Sequence, residues 1–179
     1  MKVLPFTIPK PENVTLNTEH YKGESFYEKL HQHKEIQISL VVSGEGTFVI
    51  GDCVGDFKPN DIFVIGENLP HVFKRDFNSE QDPEMISIFF TKNSYGELFF
   101  ELPEFDHLQT FFGDLSLGVK ILSNKAALIP LISTINNDYK FKQFLTFMNI
   151  LNLIGEARRK KLSSLINLKK YNGNEGKRM

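Results

Sequence analysis

His31-Gln32-His33-Lys34-Glu35-Ile36-Gln37-Ile38-Ser39-Leu40-Val41-Val42-Ser43-Gly44 is the stretch that decides the fold of this 179-residue chain. Ile36, Ile38, Leu40 and Val42 alternate with Gln37, Ser39 and Val41, the period of a strand with one apolar face. His31 and His33 stand two apart on the way into that strand, so both side chains leave the same face, and Gln37 shares their parity. Ser43-Gly44-Glu45-Gly46 then turns the chain.

Outward from this stretch the texture stays β. Thr47–Ile50 and Val54–Phe57 flank Gly51-Asp52, a two-residue hairpin signal in which glycine supplies the positive φ. Pro59-Asn60-Asp61 makes another turn before the apolar run Ile62–Ile65. Gly66–Pro70 reads as a loop, and His71–Lys74 and Ile86–Thr91 as later strands. Strands this short and this regularly spaced predict a sandwich or small barrel. Barrel closure would bring His71 opposite His31 and His33. Three imidazoles converging from neighbouring strands form a transition-metal site, a set of polar contacts for an organic ligand, or hydrogen-bonded barrel residues; the residues alone leave these open.

After Asn93 the pattern changes. Leu98–Phe112 is rich in Phe and Leu but carries Pro103, which predicts short helical turns wrapped on the barrel, and Gly118–Leu122 returns as one further strand. From Ser123 the period is helical. One helix is expected over Ala126–Ile135, kinked or begun late because Pro130 lacks an amide donor. A second is expected over Asp138–Leu162 with Asp138 as N-cap. In this second helix Phe141, Phe144, Leu145, Met148, Leu151 and Ile154 form one apolar stripe, and Phe147, Ile150, Leu153 and Ala157 form another beside it. So wide an arc needs cover on more than one side. The expectation is that the barrel takes part of it and a second copy the rest, with Phe144, Phe147, Met148, Ile150, Leu151 and Ile154 at the dimer contact.

Bulk properties narrow the function classes. Hydrophobic content of 41% and a net charge of −1 suit an ordinary globular domain. The single cysteine, Cys53, excludes an internal disulfide framework, and with no signal peptide or membrane-length apolar run the expected location is the cytoplasm. Eight of the 21 Lys/Arg lie after Gly155. They have no interleaved aromatics, so the cluster Arg158–Lys161 is read as complementing a helix C-terminus rather than as a nucleic-acid module. No phosphate-binding glycine loop and no Gly-x-Ser-x-Gly elbow occurs.

The histidine stretch, with Gly44 seven residues after Gln37, resembles the first cupin motif. Gly55-Asp56-Phe57-Lys58-Pro59-Asn60-Asp61 with Ile65-Gly66-Glu67-Asn68-Leu69-Pro70-His71 resembles the second. Carried over by position, His31, His33 and His71 match metal-binding places, and Gln37 stands where that family has an acidic ligand. Together with the 76–118 region and two terminal helices, residues 20 to 165 resemble the sensor half of AraC-family transcription regulators. The resemblance implies a mainly β fold with C-terminal α structure: a cupin-like β-barrel (double-stranded β-helix, or jelly roll) over residues 1–122 and a helical dimerisation hairpin over 123–166. Residues 167–179 would be a linker toward a helix-turn-helix DNA-binding domain not present here. It implies a homodimer that binds a small-molecule effector, contacts DNA only through that further domain, and has no membrane partner. The expected ligand contacts are His31, His33, Gln37, His71 and Phe63, with no cofactor and no catalysis. The alternative is a stand-alone metal-dependent cupin enzyme, a dioxygenase or isomerase, holding a divalent metal on His31, His33 and His71.

Overall fold

The computed structural model describes residues 2–9 and 14–164. Within these, eleven strands run in chain order: β1 (Leu4–Pro5), β2 (Asn17–Lys22), β3 (His31–Gln32), β4 (Ile36–Ser43), β5 (Gly46–Ile50), β6 (Cys53–Phe57), β7 (Ile62–Ile65), β8 (His71–Arg75), β9 (Glu84–Phe90), β10 (Val119–Ile121) and β11 (Arg159–Lys161). They form two sheets, one of order β1-β3-β8-β5-β6 and one of order β11-β10-β7-β4-β9-β2. This is the expected cupin-like barrel. Its turns follow the local chemistry read above: Ile50 pairs with Cys53 across Gly51-Asp52, and Gly51 and Asn60 both take positive φ (59° and 69°).

Strand alternation sorts two cores. Ile36, Ile38 and Leu40 of β4, Ile62 and Val64 of β7, and Ile86, Ile88 and Phe90 of β9 face away from the lumen and pack under the helices. Val41, Phe63, Ile65 and Met85 face inward with Phe26, Phe48, Phe57 and Phe73 and fill much of the barrel. Gln37, Ser39 and Ser87 also point inward, so the lumen carries a buried polar stripe on an otherwise apolar wall.

The helical layer differs from the sequence expectation in four places. The first long helix, α2 (Lys125–Thr134, after the one-and-a-half-turn α1, Gln109–Asp114), begins before Pro130 and runs through it. Pro130 and Ala126 both lie on the exposed side, where the bond that proline cannot make is left to water. The next helix, α3 (Lys140–Glu156), starts from Tyr139 rather than Asp138. The Asp138 carboxylate instead accepts bonds from Lys142 Nζ (2.7 Å) and Thr146 Oγ1 (2.6 Å). Third, α3 stops at Glu156, and Arg159–Lys161 forms β11, antiparallel to β10. Within this strand Arg159 still serves the helix end, one guanidinium nitrogen donating to the Gly155 carbonyl in the last turn of α3 (3.3 Å), while its Nε (2.9 Å) and Lys161 Nζ (2.8 Å) both grip Asp114.

The fourth difference concerns the apolar stripes. Phe147, Ile150, Leu151 and Ile154 are all 0% exposed, packed against Ile38, Leu40, Ile88 and Phe90 of the same chain. Of the six residues expected at a dimer contact, these four are spent inside the subunit, and Phe144 and Met148 keep only partial exposure. The apolar surface that α3 leaves open is at its N-terminal end instead, where Phe141 is 72% and Leu145 46% exposed.

Two clamps tie the layers. The buried Asp61 carboxylate, at the foot of β7, holds Lys120 of β10 (2.6 Å) and Lys125 of α2 (3.2 Å). Beyond β11, Leu162 packs into the barrel core, and Asp52 in the β5–β6 turn accepts Ser163 Oγ (2.6 Å), Ser164 N (2.9 Å) and Ser164 Oγ (2.8 Å). No helix among the described residues is long and apolar enough to cross a membrane. The expected linker, 167–179, lies outside the described residues.

Candidate functional site: an imidazole cluster in the barrel

The short pairing of β3 with β8 sets His31 directly across from His71. Their rings lie 4.3 Å apart between centroids, with His33 5.0 Å from His71. The potential ligand atoms of all three imidazoles lie within 4.8 Å of one another. His33 and His71 are 3% and 1% exposed, whereas His31 is partly open. The structure thus brings the three sequence-predicted histidines together.

Each ring is fixed by the same device. Nδ1 of His31 faces the carbonyl of Lys29 (2.8 Å), Nδ1 of His71 that of Leu69 (2.8 Å), and Nδ1 of His33 that of Glu35 (3.0 Å). A carbonyl only accepts, so a neutral ring must carry its one proton on Nδ1, which leaves Nε2 as a lone pair. The Nε2 of His71 is buried with no partner at all. Burial, then the neighbouring His31, pushes the His71 pKa down to about 3, and burial likewise lowers that of His31. Both rings are neutral at pH 7.

Gln37 completes the stripe. Its side-chain oxygen lies 3.0 Å from His33 Nε2, and its nitrogen donates to Ser39 Oγ at 2.7 Å, with Ser39 Oγ 2.9 Å from Ser87 Oγ. A single proton on the His33 ring would serve only one of its two oxygen neighbours, leaving two ways to satisfy the other. Either the amide is turned over, donating to His33 and accepting from Ser39, or a cation is shared between Nε2 and the amide oxygen. Two ligands at right angles around an ion bound at roughly 2.1 Å are about 3 Å apart, the spacing seen here. With the orphaned His71 nitrogen and the common Nδ1 tethers, the donor set fits a divalent metal such as zinc, iron or manganese. The set is charge-neutral, however; the closest carboxylate, Glu35, sits 3.6 Å behind His33 Nδ1.

Beside the cluster is a cavity of about 220 Å³. His31, His71, Gln37 and Ser87 supply its polar side, and Phe26, Phe73, Met85 and Phe89 its apolar walls. Phe6 and Ile8 from the N-terminal segment, with Glu19, Tyr21 and Tyr27, form its more exposed rim. His33 is one layer deeper and does not line it. Phe63, expected among the ligand contacts, does not line it either. It is 0% exposed, packed on Phe48 (5.0 Å between centroids) and on Phe73 (5.4 Å), which stands between it and the cavity.

Sequence reasoning missed Ser39, Ser87 and the rim. The serines had a signal, since each replaces an aliphatic residue at an inward position of an apolar strand. Phe6 and Ile8 had none, because nothing local shows that the N-terminal segment returns to pair with His31 and Gln32.

Residues 13–88 match the family model described as the AraC-like ligand binding domain. A curated relative, H2HPP isomerase of Bacillus subtilis, is 36% identical over 70 residues, which are 38% of this chain and 28% of that protein. Among solved structures, one of Bacillus subtilis oxalate decarboxylase, a study of its Mn(II) centres, aligns at 22% identity and TM-score 0.38 over 44% of this chain and 22% of that one. Another oxalate decarboxylase structure, on its substrate binding mode, gives 22% identity and TM-score 0.37 over 42% and 21%. This chain therefore spans less than a third of each of these proteins. The similarity to the AraC-like ligand binding domain lies within the barrel, over residues 13–88.

Proposed function

We propose that this chain is the effector-sensing module of an AraC-type transcription regulator: a small molecule enters the barrel cavity and alters how the helical layer and the β11 strap sit on the barrel. The observation that carries the reading is the coincidence of the family match with a cavity whose polar groups are buried and partly unpartnered. Two such modules pair as a homodimer through the exposed end of α3, around Phe141 and Leu145, and DNA is contacted by a further helix-turn-helix domain. The effector acts by population shift, favouring the barrel state it binds better. The test is a thermal-shift screen of small molecules against the chain, with light scattering at high concentration. A ligand-dependent shift that disappears in His71→Phe, and a dimer that Phe141→Glu dissociates, support the reading. A strict monomer with no ligand response in any compound class refutes it.

A second reading rests on a specific observation, the convergence of three tethered imidazoles with one orphaned nitrogen. In that reading His31, His33 and His71, with the Gln37 carbonyl, hold a divalent metal, and the chain is a cupin enzyme of the isomerase or dioxygenase kind. Such a metal supplies Lewis-acid or redox chemistry. The protein's own part is to present neutral Nε2 atoms and to keep bulk water out with Phe26, Phe73 and Phe89. Elemental analysis after gentle purification decides between the two: a stoichiometric metal supports the enzyme, and its absence removes it.

A further inference from the structure

We infer that the metal-free barrel cavity takes a compact, uncharged aromatic molecule that donates a hydrogen bond, by chemical class a phenol; the inference rests on the effector-binding reading of this cavity. The first argument is which way the polar groups point. His31 and His71 both line the cavity, and each gives its one N–H to a carbonyl, of Lys29 and Leu69, both at 2.8 Å, so the ring nitrogen left over on each is a lone pair. The Nε2 of His71 is buried and without a partner. An unsatisfied buried acceptor favours a ligand that brings a donor.

The second argument is charge. Among the described residues no Lys or Arg lines the cavity, and the one carboxylate that does, Glu19, stands at the exposed rim. A carboxylate or phosphate would enter past a like charge and then meet imidazole lone pairs with no cation to offset its lost hydration. The third argument is shape. The polar groups occupy one side, while Phe26, Phe73, Met85 and Phe89 make the rest of the wall aromatic or thioether, in a volume of about 220 Å³. A sugar, polar on every edge, would leave most of its hydroxyls against those rings. A single ring with one O–H satisfies all three constraints, its face on the phenylalanines and its hydroxyl on His71.

The test uses the full 179-residue chain after dialysis against a chelator, titrated calorimetrically with three probes of matched shape: p-cresol, p-toluate and toluene. The expected order is p-cresol tightest, with p-toluate at least about tenfold weaker. His71→Phe is expected to weaken p-cresol by about tenfold and to leave toluene unchanged. Because His71 is fully buried, His31→Phe at the partly open ring is the second variant, and a thermal melt confirms that each is folded. Binding of p-toluate as tightly as p-cresol, or p-cresol affinity unmoved by both variants, overturns the phenol assignment while leaving the cavity a ligand site. Failure of all three probes overturns the phenol assignment; the effector-binding reading falls only if the thermal-shift screen across compound classes is silent as well. A preference for p-toluate that appears only after manganese is loaded assigns the site to a metal and overturns the proposal for the native protein.

Discussion

Phe147→Ala separates what α3 does inside its own subunit from what it does between subunits. Phe147 is wholly buried, with its ring 4.9 Å from that of Phe90 on β9 and 6.0 Å from that of Tyr95. Truncation removes most of an aromatic side chain from a site enclosed by a strand and a helix, neither of which can close the gap. The loss combines transfer and cavity effects and comes to about 3–5 kcal/mol. In a chain of this size each kcal/mol moves the melting midpoint by roughly 2–4 °C, so the expected fall is on the order of 10 °C. Thermal melts by circular dichroism at low and high protein concentration provide the assay. The fall should be the same at both, because Phe147 is buried within one chain. Phe141→Ala, at an exposed position, should shift the unimolecular transition by less than about 0.5 kcal/mol. A Phe147→Ala loss below about 1 kcal/mol, or one that vanishes on concentrating the protein, would falsify the packing described for α3.

Two further outcomes follow from buried titratable groups. His71 binds a proton more readily unfolded (near pH 6.5) than folded (near pH 3), so its contribution is intact above pH 6.5 and stability declines as pH falls from there toward 3; urea midpoints measured across that range should slope less in His71→Phe, and an identical slope in both proteins contradicts the buried neutral ring. Asp61→Asn removes the charge that Lys120 and Lys125 share at 2.6 and 3.2 Å; because both lysines keep some exposure, the expected cost is discounted to about 2 kcal/mol by urea unfolding, and a neutral result would show that the clamp contributes nothing.

The barrel was legible because its turns are written in residues with few other uses. Gly51 and Asn60 sit where positive φ is needed, and Ile36–Val42 alternates strictly enough to fix which side chains face which core. The histidine cluster followed from parity and one cross-strand register. What failed to show locally was decided by distant partners. Asn17–Lys22 is a polar edge strand whose only reason to be extended is its pairing with β9. Arg158–Lys161 reads as continued helix despite Gly155 just before it, because Arg and Lys are good helix formers; pairing with Val119–Ile121 and the shared grip on Asp114 override that preference. Phe63 illustrates the limit of parity: it does point inward, but sequence cannot tell an occupied stretch of the lumen from an empty one.

The last described residues of the chain have a mechanical consequence. β11 is zipped to one sheet, while Ser163 and Ser164 are moored to Asp52 on the other, so the polypeptide departs from a point surveyed against both walls of the barrel. A change in the separation of the two walls would be felt at Arg159–Ser164 as tension between these two moorings, as a boat tied to two quays feels either one move.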